Sequence, residues 1–104
     1  MSQIPTSLRI GKKLYKVELP DHMPNVLVVG NIAFGSQTIK VAARTGRPLR
    51  KRSEKARLTT FWHEVVHGIL YDMRSPKNTD EIFVQGIATR LVQVTQSAKF
   101  SSRE

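Results

Sequence analysis

The order of elements along this 104-residue chain predicts an α+β domain, with short strands first and two helices after them. Three observations carry that expectation. Apolar alternation and turn residues crowd the first 42 residues. Apolar residues then recur at steps of three and one from Leu58 to Met73. A second stripe of helical period follows from Val84 to Val92. The expected arrangement is a small antiparallel or mixed sheet packed on the two helices. No repeat or low-complexity segment divides the chain, so residues 1–104 read as one domain with one modest core.

Residues 8–42 supply the strands and hairpins. Met1 to Ser7 reads as a loose start. Leu8–Ile10 and Leu14–Leu19 flank a Gly11-Lys12-Lys13 turn, and in the second strand Tyr15, Val17 and Leu19 alternate with Lys16 and Glu18. Pro20 to Asn25 carries two prolines and an Asp and reads as a loop. Val26–Val29 is a short, mostly β-branched apolar run. Ile32–Phe34 and Thr38–Ala42 flank Gly35-Ser36-Gln37, the pattern of a hairpin. Residues 43–52 contain Gly46 and Pro48 and read as an exposed basic loop.

The first helix is expected over residues 53–74. Leu58, Phe61, Trp62, Val65, Val66, Ile69, Leu70 and Met73 form one continuous stripe. Ser53 suits an N-cap, with Glu54 in the first turn. Pro76 pushes Ser75 out of the helical region and so ends the helix near Arg74. The second helix is expected over 79–96, with Val84, Ile87, Ala88, Leu91, Val92 and Thr95 on one face, widened by Phe83 and Val94. The linker between the helices is short, which makes them neighbours. Residues 97–104 are polar and read as a flexible tail.

Composition narrows the functions. The chain has no cysteine, which excludes disulfides and thiolate-bound zinc. It has neither a signal-peptide pattern nor an apolar run of membrane-spanning length, so the expectation is a cytoplasmic protein without a membrane partner. Its net charge is +9. Arg44, Arg47, Arg50, Lys51, Arg52, Lys55 and Arg57 form a block opposed by one acid, Glu54. Such a block attracts phosphate or acidic protein surfaces, so nucleic acid and acidic proteins are both candidate partners. No aromatic residue interrupts it, which argues against a stacking surface for single strands.

The first helix carries the chemistry. His63-Glu64-Val65-Val66-His67 is an H-E-x-x-H sequence. Side chains four apart lie one turn above each other, so His63 and His67 can share a metal ion. Glu64 sits about a quarter turn away, within reach of a water beside that ion. A catalytic zinc usually takes three protein ligands. His22 lies in a distant loop, so Asp80 and Glu81 at the start of the second helix are the better candidates, and spacing does not choose between them. Asn78-Thr79-Asp80-Glu81 also fits a capping box, with Asn78 as N-cap. Tyr71, one turn beyond His67, is a candidate donor to an oxyanion. Gly68 and Gly86 are candidate points of close backbone approach.

The run His63 to Tyr71, followed by Asp80-Glu81-Ile82-Phe83-Val84 and Ile87 to Val92, resembles the small phage-encoded metallopeptidases. These are similar in turn to the ImmA/IrrE group and the minigluzincins. The resemblance covers the C-terminal half; the N-terminal half shares only strands of similar order. It implies a zincin-like fold with a small sheet, an active-site helix and a following glutamate helix. It implies one catalytic Zn2+ held by His63, His67 and Glu81, with Glu64 as general base. It further implies a peptide or protein substrate and, for a phage product, the host cytoplasm. The basic block before the active-site helix is longer than the family pattern, which bears on the substrate rather than the metal. The competing expectation is a non-enzymatic basic effector on the same scaffold, turning that block toward nucleic acid or a host protein.

Overall fold

The structure, a computed structural model, describes residues 3–99. It is α+β, with a mixed four-stranded sheet and two helices. Strands β1 (Ser7–Ile10) and β2 (Lys13–Glu18) form the first hairpin, turning at Gly11-Lys12. Strands β3 (Gly30–Ala33) and β4 (Thr38–Val41) form the second. β4 lies parallel to β2, with Lys16 opposite Thr38, which gives the order β1-β2-β4-β3 and leaves β3 at an edge. Tyr15 and Val17 of β2 and Ile39 and Val41 of β4 point into the core, and Lys16 and Glu18 point out. Leu19 falls beyond β2 and is exposed. The tail expected over 97–104 is helical at Ser97, and residues 100–104 lie outside the described residues, as do Met1 and Ser2. At the other end, Thr6 is tied down by the amide of Val17 at 2.9 Å.

Helix α1 (Glu54–Asp72) begins where expected, with the Ser53 hydroxyl accepting from the Ala56 amide at 3.0 Å. Leu58, Phe61, Val65, Val66 and Leu70 are buried, whereas Ile69 and Met73 at the stripe's edge are exposed. The helix stops two residues earlier than Pro76 alone suggests. Arg74 adopts φ 57°, Ser75 N–H reaches the Leu70 carbonyl at 2.9 Å and Arg74 N–H reaches that of Tyr71 at 3.0 Å, the paired bonds of a Schellman cap.

The apolar run Val26–Val29 forms no strand: the Asn25 side chain and carbonyl take the amides of Leu27 and Val28, and turn the chain into β3. Two expectations are corrected. The basic segment 43–52 is not a loose loop but a second small sheet, β5 (Arg44–Thr45) and β6 (Arg50–Lys51). Bonds from Arg44 to Asp21 and from Thr45 and Gly46 to Val26 pin it to the preceding loop. Finally, Pro76–Thr79 forms a 3₁₀ turn, so helix α2 (Glu81–Ser97) is capped by Asp80 rather than Asn78, with Asp80 Oδ1 accepting from the Phe83 amide at 3.0 Å. Val84, Ala88 and Val92 of α2 are buried; Val84 packs with Val66 and Leu70, while Phe83 is partly and Val94 largely exposed. No helix among the described residues is long and apolar enough to cross a membrane.

Candidate metal centre

A cleft of about 1090 Å³ lies between β3 with its lead-in, the exposed face of α1, and the start of α2. His63, Glu64, His67 and Glu81 all open into it. Two glycines let the layers close up. A methyl on Gly30 would fall 2.6 Å from Thr60 Cγ2 and 2.8 Å from the Lys40 carbonyl. One on Gly68 would fall 2.7 Å from Ile10 and 3.0 Å from Ile32. Gly68 is therefore a point of close approach, as its position beside the motif suggests. Gly86 is not: only the flexible end of Arg90 comes near it.

The two histidines and Glu81 converge. His63 Nε2 is 3.0 Å and His67 Nε2 is 3.3 Å from the same Glu81 oxygen, and one ligand atom from each residue lies within 4.8 Å of the others. The group is close enough to hold a metal ion. The reversal between the helices delivers the third member. Once Asp80 serves as the cap, Glu81 is the first residue of α2 and its carboxylate is free to swing toward α1. Asp80, the other candidate, is committed to the Phe83 amide and lies 3.9 Å from Lys77 Nζ. His22 makes its contact with the Met23 carbonyl, away from the group.

The outer ring nitrogens settle how the inner ones are presented. His67 Nδ1 lies 2.8 Å from the backbone carbonyl of Asn78, which can only accept, so Nδ1 carries the proton. Its Nε2 lone pair then faces the Glu81 carboxylate. His63 Nδ1 lies 2.7 Å from Gln85 Oε1, whose amide nitrogen is directed to Thr89 Oγ1. Three possible ligand atoms thus meet at one point, a set that a single cation could bridge. The donor chemistry fits zinc, since a tetrahedron of ligands about 2 Å from the ion has edges of roughly 3.3 Å. Asn78 and Gln85 are the partners that sequence reasoning missed. Partners of this kind orient ligating histidines, yet only the folded chain brings them near.

Glu64 is 8% exposed, sits one residue from His63, and its carboxylate accepts no hydrogen bond among the described residues. Its carboxyl is raised above the ordinary value, chiefly by burial and also by Glu81, with His63 and His67 opposing. Tyr71 does not join the site. It stacks on Phe34 at 3.8 Å between ring centres and borders a separate, smaller pocket with Asp72 and Tyr15.

The basic block divides. Arg52 is structural: it donates to the carbonyls of Ala42 and Ala56 and to Thr60 Oγ1, and burial lowers its pKa, with Arg57 adding to the effect. Arg44 pairs with Asp21, and Arg57 lies 4.0 Å from Glu54. Arg47, Arg50, Lys51 and Lys55 are exposed, with no acidic partner among the described residues. Lys55 alone of these four borders the cleft. Comparisons of the chain with protein-family models, with curated proteins and with solved structures find no match.

Proposed function

We propose that this chain is a zinc-dependent metallopeptidase with a zincin-like fold, of the small phage-encoded kind that its HExxH and glutamate helices resemble. The observation that carries the proposal is the convergence of His63 Nε2, His67 Nε2 and Glu81 Oε1, with the His67 tautomer fixed by a backbone carbonyl. His63, His67 and Glu81 hold the ion. When bound, zinc supplies Lewis acidity, polarising a carbonyl and drawing the pKa of water toward neutrality. Glu64 takes the proton of the attacking water and passes it to the leaving amine. Burial raises its pKa, which makes it a better acceptor for that first proton. Gln85 and the Asn78 carbonyl keep both rings in the ligating tautomer. The unpaired edge of β3 offers main-chain hydrogen bonds to an extended peptide. An unpartnered carboxylate in the cleft supports the enzyme over a purely structural zinc site or a basic effector, neither of which needs Glu64 there.

The test is metal content by elemental analysis, with hydrolysis of unfolded casein or a quenched-fluorescence peptide mixture. The wild type should carry about one zinc per chain, and His63→Ala, His67→Ala and Glu81→Ala should each lose most of it. Glu64→Gln should keep the metal and lose hydrolysis at least about 100-fold. A metal-free wild type would end the proposal. An active, metal-loaded Glu64→Gln would end the role of Glu64.

A further inference from the structure

We propose that the cleft selects peptides bearing an acidic side chain three or four residues C-terminal to the scissile bond, read by Lys55 with Lys51 and Arg50 behind it; this rests on the peptidase reading above. Charge is sorted along the cleft. Its triad end carries Glu64 and Glu81, and its other end carries Lys55, with the β6 residues Arg50 and Lys51 just before the cleft-lining Arg52 and Ser53. An acid beside the scissile bond would meet two carboxylates, whereas one at the far end would meet unpaired cations. Arg52 is not available to substrate, because its guanidinium already serves three oxygens.

Distance and direction follow from the backbone. Lys55 precedes His63 by eight positions, about 12 Å along a helix, which an extended peptide covers in three to four residues. Gly30 of β3 abuts Thr60 and lies near Glu64, and Ile32 abuts Gly68, so β3 and α1 run the same way. A peptide pairing antiparallel to β3, the slightly more stable ladder, places its C-terminal half toward Lys55. A peptide fits better than nucleic acid, since only Lys55 of the four free cations enters the cleft and the block contains no aromatic residue for stacking.

Binding, rather than turnover, tests this. Zinc-loaded Glu64→Gln protein is titrated with two fluorescent, C-terminally amidated ten-residue peptides that differ only by two glutamates against two glutamines in the C-terminal half. The acidic peptide should bind about 5-fold tighter at low salt, and Lys55→Glu should abolish the difference. A third peptide with the glutamates in its N-terminal half should bind no better than the neutral one. Equal affinities, a preference that survives Lys55→Glu, or a preference for the N-terminal glutamates would overturn the inference. A duplex oligonucleotide that outcompetes the acidic peptide, and loses that advantage in Lys51→Glu, would assign the block to nucleic acid and also overturn it. Zinc is measured on the same samples, so a missing metal site and a missing charge preference give different results.

Discussion

At the scale of single residues, His63 and His67 each turn one nitrogen toward Glu81 and the other toward a protein oxygen. The outer contacts are therefore as testable as the inner ones. Gln85→Ala should weaken zinc binding about 10-fold or more in a competition assay with a chromophoric chelator. Gln85 is exposed, so the melting temperature of the metal-free protein should hardly move. Glu64 gives a pH signature. Its carboxyl is raised chiefly by burial, so ionising it costs the folded chain more than the unfolded one. The protonated group favours folding at low pH, and that contribution disappears as pH rises through the raised pKa. In metal-free protein, Glu64→Gln should thus melt above wild type at neutral pH, with the gap closing toward about pH 4. A gap independent of pH would mean that Glu64 ionises without cost. The motif residues were legible in the sequence because a helical period fixes which side chains share a face. Asn78 and Gln85 were not, since their roles depend on how two helices dock.

At the scale of elements, the clearest boundary was Ser53, where one hydroxyl decides the start of α1. The start of α2 was harder. Asn78 and Asp80 are both good caps, and the choice falls to Asp80 because Ser75 and Pro76 begin a 3₁₀ turn that uses up the intervening residues. That two-residue shift resolves the rivalry between capping and ligation: Asp80 caps and Glu81 faces the histidines. At Val26–Val29 an Asn25 turn likewise overrides the propensity of a mostly β-branched run. The β5–β6 hairpin was read only as charge, yet Arg52 makes it part of the scaffold. Arg52→Ala should cost about 1–3 kcal/mol in chemical denaturation, by leaving Thr60 and two carbonyls without their donor. Arg52→Lys should recover little of that loss, since one ammonium cannot reproduce a fork reaching three oxygens.

At the scale of the whole molecule, the hairpins were readable and the sheet order was not. Local turns specify β1–β2 and β3–β4, but the placement of β4 beside β2, in parallel, depends on the long Leu19–Val29 passage and the shared core of Tyr15, Val17, Ile39 and Val41. The candidate ligands come from both helices, so an ion there would join α1 to α2 and stabilise the fold by linkage. At free zinc about 100-fold above Kd the gain is about 2.7 kcal/mol. Calorimetry should show a higher melting temperature with zinc, reversed by chelator, and no zinc response in Glu81→Ala.

Gly30 and Gly68 sit on opposite layers, and each stands where a single carbon would wedge strand from helix. The spacing of strand and helix beside the cleft therefore depends on two absent methyl groups rather than on any of the three candidate ligands. Evolution, or an engineer, could open or skew the channel by one atom at either place while leaving the three donors chemically intact. The bore of the channel and the chemistry at its floor are thus separately adjustable parts of the same small protein.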